Sequence, residues 1–245
     1  MEPIEPKPVE SKKTPWARNV LLVVVLLGIA GFCLLPSGGH PPEVYHRVES
    51  RNNLKQIGLA LQIEQHAHPS GELTSSIITD AHGQPLYSWR VLILPELGYQ
   101  ELYEQFDLSK PWDSPENRPL IAKMPEVYLS PRQSTETTDG LTAYQTLVED
   151  GPHQTVMLPT KKRRPRDITD GHSNTALLVE ELDKPVIWTQ PDDVTPAEFL
   201  ETLDYYRRPA RDVLMVTADG ANREFRSSER EELLPFMYAN DGEVP

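Results

Sequence analysis

One cysteine, Cys33, serves 245 residues, so the chain cannot close an internal disulfide and has no CxxC or zinc-ribbon chemistry to offer. Positive charge is in deficit: 24 Lys and Arg face 37 Asp and Glu, a formal charge of -13. An average field of that sign repels nucleic acid and anionic headgroups and excludes a general DNA or RNA binder. Glycine is sparse at 13 residues, and no GxGxxG, P-loop or HExxH pattern occurs, which removes the usual phosphate-cradling loops and the zinc-protease helix. No cofactor and no metal site is expected. Hydrophobic residues make up only 38 %, yet branched aliphatics recur often enough to build a core, so disorder of the whole chain is disfavoured.

Proline is abundant instead, 24 residues, about double the average usage of roughly 5 %. Short elements and frequent chain reversals follow. The length allows one domain plus an anchor.

The one long hydrophobic run is Val20 to Leu35, VLLVVVLLGIAGFCLL. Together with its uncharged flanks it would span roughly 24 to 30 Å as a helix, close to the hydrocarbon thickness of a bilayer. A transmembrane helix is predicted over 19–36, because a core helix keeps a polar face and this run has none. Residues 1–18 form a polar, proline-rich arm with Lys12, Lys13 and Arg18 near the membrane, whereas Arg47 and Arg51 beyond the run are offset by Glu43 and Glu49. The positive-inside rule then keeps the arm in the cytoplasm and places everything after residue 36 outside. The run exceeds the core of roughly 7 to 15 residues of a cleaved signal peptide, and Pro36-Ser37-Gly38-Gly39 is a weak cleavage site. Phe32 before Cys33 does not fit a lipoprotein signal. The organisation read from the chain is an arm at 1–18, a span at 19–36, a hinge at 37–42, an exported domain at 43–240 and a tail at 241–245.

Glu43 to His66 contains no proline, and Val44, Val48, Leu54, Ile57, Ala60, Leu61 and Ile63 recur at largely helical spacing. This predicts an amphipathic helix of roughly 36 Å that packs on a sheet through its second half. Leu73 to Thr79 predicts a strand, and Ser88 to Leu94 fits either a short helix or a buried strand. Gln100 to Phe106 is helical in period, and Ser114 is placed to cap a helix over Glu116 to Lys123 with Pro115 in its first position. Val127 to Leu129, Ala143 to Val148, Thr175 to Val179 and Val213 to Thr217 are rich in strand formers. Asp219-Gly220 predicts a hairpin between Val213–Ala218 and Ala221–Phe225, and Ser228 is placed to cap a last helix through Phe236. The fold class is α+β: an N-terminal transmembrane helix, then a long amphipathic helix packed on a small, mainly antiparallel sheet with short helical insertions.

Five ordered segments carry a resemblance: Asn52-Asn-Leu-Lys-Gln-Ile-Gly-Leu-Ala-Leu61, Ser88-Trp-Arg-Val-Leu-Ile-Leu-Pro95, Pro111-Trp-Asp-Ser-Pro-Glu-Asn117, Ile168-Thr-Asp-Gly-His-Ser-Asn-Thr175 with Val179-Glu180, and Ala218-Asp-Gly220. Over roughly residues 47 to 227 the chain resembles the large pilin-like family of unknown function expanded in planctomycete bacteria, sometimes labelled solute-binding-protein-like. The resemblance implies an exported domain similar to type IV pilins and the major pseudopilins, held at a bacterial inner membrane with its main domain periplasmic, and it implies no established activity. Prepilins of this kind have a glycine before the apolar run and a glutamate five residues in, whereas Ala17-Arg-Asn-Val-Leu-Leu22 has neither, which argues against processing and filament assembly. Many members carry one cysteine just before the Asn-Asn-Leu-Lys segment and another before a proline near Tyr128. Here Ser50 and Ser130 stand at about those places, as if a disulfide had been lost as a pair.

Candidate chemistry is thin. Asp170, in the turn Thr169-Asp170-Gly171, and Asn174 offer oxygens for a ligand or for calcium, but calcium takes about six to eight oxygens and no DxDxDG loop is present, so a capped turn is the plainer reading. Gly171-His-Ser173-Asn-Thr175 departs from the nucleophile elbow at its last position. Glu64, His66 and His68 suggest a metal, yet a spacing of two turns the imidazoles to different helix faces. Trp89, Trp112 and Trp188 are candidates to line a ligand groove, with core packing as the alternative. Lys161, Lys162, Arg163, Arg164 and Arg166 form a basic patch on an acidic chain, suited to acidic polymers or headgroups, with an exposed loop as the alternative. The resulting expectation is a non-enzymatic, single-pass membrane protein acting as a structural or interaction module of the cell envelope, with envelope or secretion-system proteins as partners. A solute- or glycan-binding module and a pseudopilin-like component of a secretion or pilus system are the alternatives.

Overall fold

A computed structural model of the protein describes residues 42–133, 139–205, 212–226 and 229–243. The apolar run 20–35, the polar, proline-rich arm before it and the hinge up to residue 41 lie outside the described residues. Among those that are described, no helix is long and apolar enough to cross a membrane.

The proline-free stretch forms helix α1, Pro42–Ala67, 26 residues and about 39 Å long at 1.5 Å per residue. Ser50, Leu54, Ile57, Ala60 and Leu61 fall on one face and are buried. Val48 and Ile63, expected on that face, are exposed together with Tyr45 and Leu59. Ile63 is two residues from Leu61, about 200° around the helix, so the spacing turns it outward. Gly58 lies on the inner face, where an added Cβ would stand 3.0 Å from Val216 Cγ1. Glycine here lets the helix backbone approach the sheet closely.

That sheet has four antiparallel strands in the order β4–β5–β7–β8, namely Tyr144–Gln145, Ala176–Glu180, Asp212–Thr217 and Asn222–Arg226. Two small two-stranded pairs accompany it: β1 (Ile77–Thr79) with β2 (Pro85–Ser88), and β3 (Leu141–Thr142) with β6 (Val186–Ile187). The β7–β8 hairpin turns at Gly220, whose φ of 83° suits glycine. Asp219 holds the turn by accepting from Thr217 Oγ1 at 2.6 Å and from the Ala221 N–H at 3.1 Å.

Both faces of the sheet are covered. Leu178, Leu214 and Val216 join the cluster built on Leu54, Ile57 and Leu61 of α1. Val179, Val213 and Met215 join a second cluster with Phe199, Leu233, Phe236 and Met237. Period-two alternation sends successive β7 side chains to opposite clusters, which explains why Val213-Leu-Met-Val216 is an unbroken apolar run. Each fully buried aliphatic side chain contributes roughly 1.5 to 3 kcal/mol.

The second face is covered by a helix the pattern reading missed, α4 (Pro196–Tyr205), numbered after the short helices α2 (Trp89–Leu92) and α3 (Gln100–Tyr103). Its start is a capping box: Glu198 Oε2 accepts from the Thr195 N–H at 3.0 Å, and Thr195 Oγ1 accepts from the Glu198 N–H at 3.2 Å. Other elements shift modestly. Ser88 Oγ accepts from the Arg90 N–H and resolves the ambiguous 88–94 stretch as a helix. The helix expected from Glu116 is a 3-10 segment, Arg118–Lys123, because Asn117 is tied by its side chain to the carbonyls of Asp107, Lys110 and Pro111. Val127 to Leu129, expected to be extended, coils into a 3-10 turn at Glu126–Tyr128 after Pro125. A final helix, α5 (Arg230–Leu233), continues as a 3-10 turn through Phe236; Ser228, its expected cap, lies outside the described residues.

Candidate functional site

Charge gathers where α1 ends. Beyond Ala67 the chain runs through Ser70 and Glu72 to Leu73, which forms an antiparallel bridge with Arg163, each backbone N–H reaching the other's carbonyl at 2.8 and 3.1 Å. This bridge brings the basic segment 161–166 against residues almost 100 positions earlier in the chain. Lys162 Nζ donates to His68 Nε2 at 2.6 Å, His68 Nδ1 meets Ser70 Oγ at 2.8 Å, and Ser70 Oγ donates to Glu72 Oε2 at 2.9 Å. Glu72 Oε1 in turn accepts from Arg164 Nε at 3.1 Å. The five side chains form a polar belt linking two features that looked unrelated in the sequence, His68 beyond the helix end and the basic run. The hydrogen bond from Arg164, helped by Ser70, holds the Glu72 carboxyl below the usual range. Lys161 does the same for Asp150 at 2.6 Å.

Behind this belt Arg163 is buried, 3 % exposed. Its Nη1 donates to the Asp167 carbonyl and its Nη2 to Gln154 Oε1, both at 2.7 Å, while Nε has no partner among the described residues. Burial lowers its pKa, partly offset by the more distant charges of Asp167 and Asp150. Arg163 lines a crevice of about 10 Å³, room for roughly one water-sized group, whose wall includes Gln62, Gln65, Pro165 and His172. Pro165 also lines an open concavity of about 500 Å³ together with Ser70, Glu72, Arg164 and Arg166. Nearby, burial raises the Glu64 carboxyl, opposed by His68 and Lys162. Such an arrangement presents cationic donors to an incoming anion. Among the described residues, no group of three or more His, Cys, Asp or Glu is placed to hold a metal.

The other sequence candidates lie elsewhere. Asp170 is buried and its carboxylate accepts from the Asp241 and Gly242 N–H groups at 2.9 and 3.2 Å, tying down the chain near its C-terminal end. Asn174 Nδ2 donates to the Asp170 carbonyl at 3.0 Å. Trp188 is fully buried between Phe106 and Tyr128 and donates its indole N–H to the Ile121 carbonyl at 3.0 Å. Trp89 is fully buried, and Trp112 is half-buried against the same core. The tryptophans therefore sit in and against one core cluster rather than around the basic concavity.

Two buried polar clusters escaped the sequence reading. Arg90 Nη2 reaches Asp193 Oδ1 at 2.6 Å with side chains 0 and 1 % exposed, and Trp89 Nε1 and the Thr146 N–H also donate to that carboxylate. Burial pushes the Asp193 carboxyl up to about 6 against the pull of Arg90. In the second cluster, Ser50 Oγ and Ser130 Oγ lie 3.4 Å apart, Ser130 donates to Glu180 at 2.6 Å, and Arg132 pairs with the same carboxylate at 2.6 Å. Only the contact between the two serines had a signal, through the cysteine positions of the resembled family. Asp193 lies 103 residues from Arg90, and no local pattern marks such a pair.

Residues 46–202 match the family model SBP_bac_10, described as a protein of unknown function (DUF1559). No curated protein and no solved structure gives a significant match.

Proposed function

The chain belongs to the DUF1559 family, a family of unknown function, and we propose that it is a membrane-anchored, extracytoplasmic interaction module of the cell envelope without enzymatic activity. The observation that carries this reading is the placement of charge. On a chain of net charge -13, the basic segment gathers at the C-terminal end of α1, beside His68 and Glu72. A basic face on an otherwise acidic domain supports charge-complementary contact with acidic envelope proteins. The buried polar groups support the same view: Asp170, Asp193 and Glu180 are each engaged in holding segments of the fold together.

The test combines fractionation with crosslinking. The full chain should stay in the membrane pellet through a carbonate wash and be digested by protease added to intact spheroplasts, and a photo-crosslinker at Arg166 should capture envelope proteins that one at Glu101 does not. Release by carbonate, or protection from external protease, defeats the anchored, outward-facing reading. Equal capture from both positions defeats the assignment of the face.

A further inference from the structure

The chain shows how it treats a buried arginine when the role is structural. Arg90 is fully buried against Asp193 at 2.6 Å, and the partly buried Arg132 meets the buried Glu180 at 2.6 Å. Both follow the rule that a charge removed from water is paired, because an unpaired one costs several kcal/mol. Arg163 breaks this pattern. It is as buried as many core residues, yet its partners are a backbone carbonyl and a neutral amide. No carboxylate reaches it within ion-pair distance among the described residues, and its Nε–H is left without an acceptor. A guanidinium carries five N–H donors, of which two are engaged here and the Nε–H is not, so an anionic acceptor at Nε supplies both the missing hydrogen bond and the missing charge.

The space beside it has a matching size. The crevice lined by Arg163, Gln62, Gln65 and His172 admits roughly one oxygen-sized group. Pro165 lines both this crevice and the outer concavity, where there is room for the body of a small molecule or the side group of a polymer. Arg166 stands at that outer concavity with a side chain 72 % exposed and its nearest carboxylate, Asp167, at 3.9 Å. Glu72, the one acid on the wall, is already engaged by Arg164.

We propose that Arg163 is the base of an oxyanion-binding site: a carboxylate or phosphate group enters from the concavity between Arg164, Pro165 and Arg166 and places one oxygen on the Arg163 Nε–H, with Arg166 supplying the second charge. The site exists whether or not the chain is anchored, so its test is independent of the membrane experiments above. It also gives the basic segment a ligand class, a compact oxyanion, in place of a general attraction to acidic surfaces.

The experiment uses the full chain in detergent with arginine side chains labelled with nitrogen-15, titrated separately with inorganic phosphate, acetate and succinate against a sodium chloride control of equal ionic strength. The Arg163 Nε–H resonance should shift saturably with at least one of the three, and the preferred probe tells a phosphate source from a carboxylate one. In calorimetry, Arg163→Gln should weaken binding by about tenfold or more, the weight of one charge-assisted hydrogen bond, and Arg166→Gln by a few-fold. An Arg163 resonance that stays in place with all three probes, as it would if only a structural water sits at Nε, overturns the proposal. Unchanged affinity in a folded Arg163→Gln variant overturns it equally. Should that variant fail to fold, the titration of the unaltered chain still decides.

Discussion

Joining Ser50 and Ser130 by cysteine substitution measures how the sequence and the tertiary contact relate. Their hydroxyl oxygens lie 3.4 Å apart in a buried environment, at positions 80 residues apart in the chain. Closing a loop of that length removes about 15 cal/mol/K from the unfolded ensemble, roughly 4.5 kcal/mol at 25 °C. Against this stands the loss of the Ser130 hydroxyl, which donates to Glu180 at 2.6 Å. Removing a hydrogen bond to a charged group costs about 1.5 to 3 kcal/mol, and Arg132 continues to neutralise the carboxylate. The oxidised double variant S50C/S130C should therefore be about 1.5 to 3 kcal/mol more stable than the parent, and the reduced form less stable than the parent by about the same amount. At about 2 to 4 °C per kcal/mol for a domain of this size, the two forms should differ in Tm by roughly 9 to 18 °C. Circular dichroism melts of the full chain with and without dithiothreitol read the gap. Because the chain has one natural cysteine, thiol titration should count three thiols in the reduced variant and one after oxidation. Three thiols persisting after oxidation, or an oxidised form that melts no higher than the reduced one, would refute the reasoning.

Three other outcomes follow from the same structure. Asp193→Asn leaves Arg90 buried without its counter-charge and should cost about 3 to 5 kcal/mol in urea unfolding, whereas Arg90→Met with Asp193→Leu should recover most of that loss; a double variant no better than the single one would contradict the account. Gly58→Ala gains up to about 1 kcal/mol of helix propensity but pushes Cβ to 3.0 Å from Val216 Cγ1, so a net loss of about 1 kcal/mol is expected, with a coupling of at least about 0.5 kcal/mol in a cycle with Val216→Ala; additivity would show that the helix does not press on that strand. Burial raises Tyr87 up to about 12 and lifts Tyr128 and Tyr144 as well, so the stability these groups contribute is complete below about pH 10, where unfolded tyrosine titrates, and is lost as pH rises toward 12. Tyr87 alone accounts for about 3 kcal/mol across that window, and phenolate absorbance in the folded chain should therefore lag behind a free-tyrosine curve; a single titration wave near pH 10 in protein that is still folded would be inconsistent with it.

Much of the architecture was legible in local pattern. The proline-free stretch after residue 42 predicted α1 to within two residues, and the apolar runs at 175–179 and 213–217 predicted β5 and β7. The Asp219-Gly220 turn was equally plain, although the loop is three residues long, Ala218 to Gly220, because its last position takes a positive φ that glycine supplies. The helix Pro196–Tyr205 was also written locally, in Thr195-Pro-Ala-Glu198, where a capping residue, a proline and an acid stand in the order a helix start requires. It was missed because proline elsewhere in this chain so often marks a reversal. Val127 to Leu129 misled for the opposite reason: strand-forming side chains were placed by burial on a 3-10 turn, and tertiary context overrode propensity.

The candidate site was legible only in parts. The basic run Lys161 to Arg166 was visible, and so were His66 and His68, but nothing in either segment indicated that Lys162 would meet His68. Composition and period are properties of neighbours along the chain, so the sequence by itself determined the acidic average charge, the apolar run at 20–35, the long helix and the strand hairpin at the end. Burial is a property of whatever arrives from elsewhere. Only the tertiary structure decided that Arg90 receives a carboxylate from 103 residues away, that Ser50 and Ser130 touch, and that, of the five basic residues between 161 and 166, Arg163 alone is buried, its Nε–H without a partner among the described residues.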